Sequence, residues 1–200
     1  MTSMLVDPVY ASTGVSEMTS TEYSQITAAV AALSAKTDIM AMVNSIFGNV
    51  IFTTFSDGLT DPRTGAYAPY TGDHTISTWR ANLLTHFSSQ GISYDPNNDT
   101  IVLIMPGIFT ALGTTNGYLI STPSGGSFQY TLERLMFHEM AHAASLPTAT
   151  IADAYLRGNY TFNDPWEADT IAIAAENIIY RQAFSLTGDI NGGHDGVARS

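Results

Sequence analysis

Residues 127–145 read SFQYTLERLMFHEMAHAAS, and their apolar side chains recur at the spacing of a helix that Pro147 would end. This predicted helix contains the motif His138-Glu139-Met140-Ala141-His142. Residues four apart lie about one turn apart on the same helix face, so both imidazoles can bind one metal ion. Glu139 lies about 100° round the helix from His138, where it can hold a water molecule without binding the metal.

Zinc is the ion that best suits two imidazoles on one helix face. It lowers the pKa of a coordinated water to about 7 and so supplies a hydroxide nucleophile at neutral pH. A catalytic zinc takes three protein ligands and leaves the fourth position open. Because the chain has no cysteine, and no histidine closely follows His142, the third ligand must come from farther along the sequence.

A second helix, predicted from Pro165 to about Phe184, offers three carboxylates as the third ligand: Glu167, Asp169 and Glu176. Glu167 and Glu176 are nine residues apart, which is half a turn out of phase, so they cannot both face the metal. Asp169 shares the face of Glu176. Periodicity alone leaves the choice among the three open.

Composition excludes several classes of protein. The chain has 200 residues, 44% of them hydrophobic, which is enough for a core in one domain or two small ones. It carries 18 acidic and 7 basic side chains, one of them a lysine, for a net charge of −11. Nucleic acid and anionic membrane surfaces need clustered positive charge, so neither is an expected partner. No apolar run reaches the roughly 18 residues of a membrane span, and the lack of cysteine excludes a disulfide scaffold.

The remaining pattern predicts an α+β domain in which a small, mostly antiparallel sheet packs on the helix that carries the motif. In the first half of the chain we expect a helix over 21–48 that could break near 37–38, a strand over 49–55, a loop over 56–72, and a short strand and then a helix over 75–87. A β-hairpin follows around 95–99, and its second arm, 101–105, is predicted to be buried on both faces. Loops are expected over 107–126 and, for roughly 18 residues, before the last helix.

We divide the chain into an irregular arm over 1–20, a single domain over 21–187 and a Gly/Asp-rich tail over 188–200. The tail has oxygen-bearing side chains at alternate positions, as a calcium loop has, but it lacks the closing glutamate of an EF-hand, which favours a solvated tail. Four isolated residues are predicted to be structural: His74, His86, Trp79 and Trp166.

Three stretches carry a resemblance to a known family: ISYDPNNDTIVL (92–103), FHEMAHA (137–143) and WEADTIAIAAENIIYR (166–181). Together they resemble gluzincin-type zinc metallopeptidases, in particular the NleD-type bacterial effector peptidases and, more distantly, the clostridial neurotoxin light chains. The resemblance implies a zincin-like fold and one zinc ion per chain, and it identifies His138, His142 and Glu167 as the ligands, with Glu139 as the catalytic base.

The same resemblance assigns supporting roles to residues of the last helix. It places Glu176 and Asn177 in a second family element, where they are structural or support a ligand, and Glu176 is the second choice for the third ligand. The family also stabilises its tetrahedral intermediate with a late arginine and a tyrosine; Arg199 is the candidate for the arginine, and the tyrosine has no clear match. Tyr180 and Arg181 could polarise a substrate carbonyl, or they could form an ordinary surface pair.

The expected function is therefore that of a zinc-dependent metalloendopeptidase acting on a polypeptide, with Glu139 assisting attack by zinc-bound water. The alternatives are a non-catalytic zinc-binding module with four protein ligands, a metal-free interaction or effector module, and hydrolysis of a bond other than a peptide bond. The N-terminus has neither a basic start nor a long apolar stretch, so we expect export by a route without a classical signal peptide, or otherwise a cytoplasmic protein.

Overall fold

A computed structural model describes residues 2–8, 18–57, 59, 63–69, 74–112, 118–157 and 165–192, except for the side chains at 74, 157 and 165–168. It is a mixed α+β structure, which confirms the predicted class at this level. A four-stranded sheet lies between helices, and a separate two-stranded sheet precedes the helix that carries the motif.

The larger sheet consists of β1 (Met4–Val6), β2 (Val50–Thr53), β3 (Gly65–Tyr67) and β4 (Thr100–Leu103), in the order β1-β2-β4-β3. The β1–β2 and β2–β4 pairs are parallel, and only β3 runs antiparallel to its neighbour β4. The expectation of a mostly antiparallel sheet is therefore wrong. Strand β1 also lies within the stretch that we expected to be an irregular arm.

Crossover helices account for the parallel pairing, since parallel strands cannot be joined by a tight turn. Helices α1 (Ser20–Ser34) and α2 (Thr37–Val43) connect β1 to β2, and the predicted break between them is present. Helix α3 (His74–Ser89) precedes β4 and occupies the whole stretch in which we expected a short strand followed by a helix. No single described helix has the length and apolar character of a membrane span. Helices α1 and α2 together have that length and character, but the chain bends by 102° between them.

The predicted hairpin around 95–99 is absent, because residues 92–95 form no strand. The turn is held instead by Asp99, whose carboxylate accepts hydrogen bonds from the backbone N–H of Asp95 at 2.9 Å and of Asn49 at 2.7 Å. The chain thus enters β4 beside β2. Every residue of β4 is buried, as its apolar run predicts.

Two apolar clusters lie on opposite faces of the sheet. On one face Ile51, Ile101 and Leu103 pack with Trp79 and other residues of α3. On the other face, alternate residues of β2 and β4 pack with side chains of α1, α2 and the helix of the motif. Trp79 is fully buried, which confirms its prediction as a core residue.

The rest of the chain contains more regular structure than the sequence predicts. The predicted loop over 107–126 contains α4 (Pro106–Leu112) and β5 (Leu119–Ser121). The motif helix, α5 (Leu132–Ala143), is shorter than predicted and follows β6 (Ser127–Gln129). The next predicted loop contains α6 (Thr148–Arg157). The last helix is confirmed and has three parts, α7 (Pro165–Ala175), a π-helical turn (Glu176–Tyr180) and α8 (Arg181–Ala183).

Candidate metal centre

Helix α5 holds the motif rigidly because it is capped at its start and buried along most of its length. The Thr131 side chain accepts a hydrogen bond from the Arg134 backbone N–H at 3.3 Å. His138 and Glu139 are only 4% and 8% exposed. Apolar residues of the same helix anchor it in the core: Met136, Phe137, Met140 and Ala141.

Three potential metal-ligand atoms meet between α5 and α7. The Nε2 atom of His142 lies 3.2 Å from Nε2 of His138 and 3.3 Å from Oδ1 of Asp169. The third separation, from His138 Nε2 to Asp169 Oδ1, is 3.8 Å. His138, His142 and Asp169 therefore form a group that could hold a metal ion.

The spacing of these atoms fits tetrahedral coordination. Zinc binds nitrogen and oxygen at about 2.0–2.2 Å, so the edges of its ligand tetrahedron are about 3.3–3.6 Å long. The three observed separations of 3.2, 3.3 and 3.8 Å lie close to that edge length. An ion bound here would require only small movements of the three side chains.

Among the described side chains, Asp169 is the carboxylate that lies beside the imidazoles, and the prediction of Glu167 as the third ligand is not tested. The side chain of Glu167 lies outside the described residues. Positions 167 and 169 are two residues apart on α7 and so lie about 200° apart around its axis. A single α-helix does not present both positions to one point.

Glu176, the second choice for the third ligand, contacts the opposite side of the His138 ring. Its Oε1 lies 2.6 Å from His138 Nδ1, and the carboxylate also accepts hydrogen bonds from the Tyr130 hydroxyl at 2.5 Å and from Arg134 Nε at 2.6 Å. Glu176 is fully buried at the start of the π-helical turn. It is thus placed to fix the orientation of a ligand histidine, a role that carboxylates commonly have in metal sites.

Electrostatic contacts keep this network charged in the metal-free chain. Burial alone would lower the pKa of His138, but hydrogen bonds to Asp169 and Glu176, together with nearby negative charge, raise that pKa to about 10. Burial alone would raise the pKa of Glu176, but His138, Arg134 and Tyr130 hold it below its ordinary value. The His138 ring thus lies between two carboxylates, those of Asp169 and Glu176.

Glu139 has no hydrogen bond or ion pair within the described part of the chain, although it is nearly buried. Its charge acts on His138 and on Tyr118, a half-buried residue that immediately precedes β5. Burial raises the pKa of Tyr118, and the charges of Glu139, Glu176 and Asp169 raise it further. Among the described residues, the site therefore has a carboxylate with no hydrogen-bond partner and, close to it, a phenol that stays neutral at ordinary pH.

An open, largely apolar cleft adjoins the metal centre. It has a volume of about 420 Å³ and shares His142 with the centre; its other described walls are apolar side chains and Ser145. The side chains of His142 and Asp169 are 19% and 33% exposed, whereas that of His138 is 5% exposed. Solvent therefore reaches the ligand group from the side of His142 and Asp169.

Other residues singled out from the sequence have structural contacts. Asn177 exchanges two hydrogen bonds with the backbone of Asn191, and Arg181 donates to the carbonyls of Asn177 and Gly188. Tyr180 is 5% exposed and packs against aromatic rings. Three further candidates have side chains outside the described part of the chain: His74, Trp166 and Arg199.

His86 is structural, as predicted. Its Nε2 lies 2.9 Å from Oδ2 of the fully buried Asp7, and the same oxygen accepts a hydrogen bond from the Thr53 hydroxyl at 2.7 Å. The His86 ring also stacks on Phe55. This cluster links β1, β2 and α3 on the side of the sheet away from α5.

Sequence reasoning did not identify Arg134, Tyr130, Tyr118 and Asn191 as parts of the site. One signal was present for Arg134, which lies four residues before His138 and so shares its helix face. The other three reach the site from separate segments through tertiary contacts, for which the sequence carries no periodic signal.

Comparison with known proteins supplies no relative. No family model, no curated protein and no solved structure matches the chain.

Proposed function

We propose that the protein is a zinc-dependent metalloendopeptidase, with His138, His142 and Asp169 as the zinc ligands. The observation that carries the proposal is the group of three ligand atoms at tetrahedral spacing, next to Glu139, whose carboxylate has no hydrogen-bond partner among the described residues. Structural zinc sites have four protein ligands, whereas catalytic sites have three. Among the described residues no fourth histidine or carboxylate joins the group, which favours the catalytic reading.

The donor set suits zinc by its chemistry as well as by its spacing, since neutral imidazole and carboxylate are both common zinc ligands. When bound, zinc polarises a carbonyl oxygen and lowers the pKa of a coordinated water to about 7. Glu139 accepts a proton from the water as its oxygen attacks the scissile carbonyl carbon. Glu139 then transfers that proton to the amine nitrogen as the carbon–nitrogen bond breaks.

A polypeptide is the proposed substrate for two reasons. The cleft beside His142 is open and mostly apolar, so it can accept a side chain next to the reacting bond. The likeness of 137–143 and 166–181 to the NleD-type effector peptidases also favours peptide bonds over other electrophiles. In this proposal Asp169 takes the place of the glutamate that those peptidases use.

The test compares wild type with Glu139→Gln on a random-sequence peptide library, with cleavage read by mass spectrometry and zinc by elemental analysis. We expect cleavage by wild type and a fall of at least about 10²-fold in the variant, because general-base assistance typically contributes 10²–10⁴-fold. Zinc content should stay at one ion per chain. Glu133→Gln, in the first turn of the same helix, is the matched control and should keep full activity.

Full activity of Glu139→Gln would exclude this mechanism. Zinc binding without cleavage of any peptide would instead favour the non-catalytic zinc-binding module, and protein purified without zinc and unable to take it up would favour the metal-free alternative.

A further inference from the structure

One residue of the last described stretch, 188–192, is packed against the candidate metal centre: Asn191 is buried, whereas the other four residues are exposed. Asn191 is only 3% exposed. Its backbone N–H donates to Asn177 Oδ1 at 2.8 Å, and its carbonyl accepts from Asn177 Nδ2 at 2.9 Å. This pair of bonds fastens the segment to the π-helical turn that begins with Glu176.

Two contacts at the ends of the segment fix it further. Arg181 Nε donates to the carbonyl of Gly188 at 2.7 Å, and the Gly192 N–H donates to the carbonyl of Ser121 in β5 at 2.9 Å. At Gly192 a Cβ atom would lie 2.9 Å from that same carbonyl oxygen, so a larger residue could not approach β5 as closely. The segment therefore bridges the last helix and the small sheet.

The side chain of Asn191 completes the hydrogen bonding of Glu176. Its Nδ2 lies 3.2 Å from Oε1 and 3.3 Å from Oε2 of that carboxylate. Tyr130, Arg134 and His138 hold the other positions around the same two oxygens. A carboxylate offers about four acceptor positions, and these four residues make five contacts with it, so its hydrogen-bonding capacity is fully used.

We infer that Asn191 is a positioning residue for the metal ligand His138 and acts through Glu176. The carboxylate contacts His138 Nδ1, and this contact directs Nε2 toward His142 and Asp169. Asn191 limits rotation of the Glu176 carboxylate because its side chain, which belongs to neither α5 nor the last helix, hydrogen-bonds to both carboxylate oxygens. The inference rests on the proposed metal site but not on peptidase activity.

The experiment measures zinc affinity of the full-length chain by competition with a colorimetric chelator. Asn191→Asp keeps the size of the side chain and the backbone bonds to Asn177, but replaces the donor with a second carboxylate facing Glu176. We expect zinc affinity to fall about 10- to 100-fold, the usual range for residues that support a metal ligand. Asn191→Ala, which adds no charge, should fall in the same range, and the absorption spectrum of bound Co²⁺ should shift in both variants. Asn44→Asp, exposed at the end of α2, is the control for added charge and should bind zinc like wild type.

A purely structural role would lower the stability of the folded chain and leave its zinc affinity unchanged. Folded variants that bind zinc within about twofold of wild type would therefore overturn the inference, whereas a wild type that binds no zinc would overturn the metal site itself. If neither variant folds, hydrogen exchange on wild type decides, because coupling between two sites is reciprocal. Zinc should then slow exchange of the Asn191 N–H, and an unchanged exchange rate would contradict the inference.

Discussion

A single residue separates Asp169 from Glu167, and the identity of the third ligand depends on which of them turns toward α5. Only Asp169 is described with a carboxylate oxygen near both imidazoles. Asp169 is in the second turn of α7, which faces the part of α5 that carries His138 and His142. The close packing of α7 along α5 thus matters as much to the centre as the motif itself.

At the residue scale we predict that Asp169→Ala lowers zinc affinity at least about 100-fold, because loss of a ligand costs no less than loss of a residue that supports one. Glu167→Gln should bind zinc like wild type. Both are measured by competition with a zinc chelator on folded protein. The opposite ranking of the two variants would restore Glu167 as the ligand and exclude Asp169.

The sequence identifies His138, Glu139 and His142 because their relation is local: one helix and a spacing of four residues suffice. Asp169 is one of three carboxylates on the last helix, and periodicity cannot choose among them without knowing which face of that helix meets α5. The role of Glu176 is harder still to derive, since it depends on side chains that the chain supplies from positions 130, 134 and 191.

At the scale of elements, the sheet shows which sequence signals were informative. Both β2 and β4 are apolar without alternation and are buried along their whole length. Continuous apolar strands of this kind are typical of parallel sheets covered on both faces. That signal was present, but the turn residues 95–99 suggested a hairpin. The deciding contacts, from Asp99 to backbone N–H groups, are tertiary and cannot be derived from local pattern.

Gly48 links two of these elements and provides a test of the packing. Its φ is +77°, and a Cβ atom there would lie 2.6 Å from the carbonyl carbon of Asn98 and 2.7 Å from the Asp99 carboxylate. Gly91 has a similar φ of +71° but no atom within 4 Å of a Cβ. The two glycines therefore separate backbone strain from steric overlap.

We predict that Gly91→Ala lowers the free energy of unfolding by about 1–2 kcal/mol, the cost of a left-handed conformation. Gly48→Ala should lower it by about 1–3 kcal/mol more, because overlap adds to the same strain. Urea denaturation followed by circular dichroism gives both values. Equal losses in the two variants would contradict the close approach of the turn before β4 to Gly48.

At the scale of the whole molecule, the metal centre joins segments that are far apart in the chain, so occupancy of the site should stabilise the entire fold. A ligand that binds only the folded state adds about 2.7 kcal/mol at a free concentration one hundred times its Kd. We predict a rise of this order in the free energy of unfolding with zinc, and its reversal by a chelator. His142→Ala should show no such rise. A zinc effect of equal size in that variant would place the binding site elsewhere.

The path of the chain through the centre has a consequence for biosynthesis. Strands β1, β2 and β4 end by residue 103 and are synthesised before every proposed metal ligand, the first of which is His138. Asn191 is among the last of the described residues to be synthesised. The nascent protein can therefore assemble its sheet while the centre is still incomplete. In the proposed site a bound ion would take the place of a proton on His138, the pKa of which is raised to about 10, so metal uptake should release a proton.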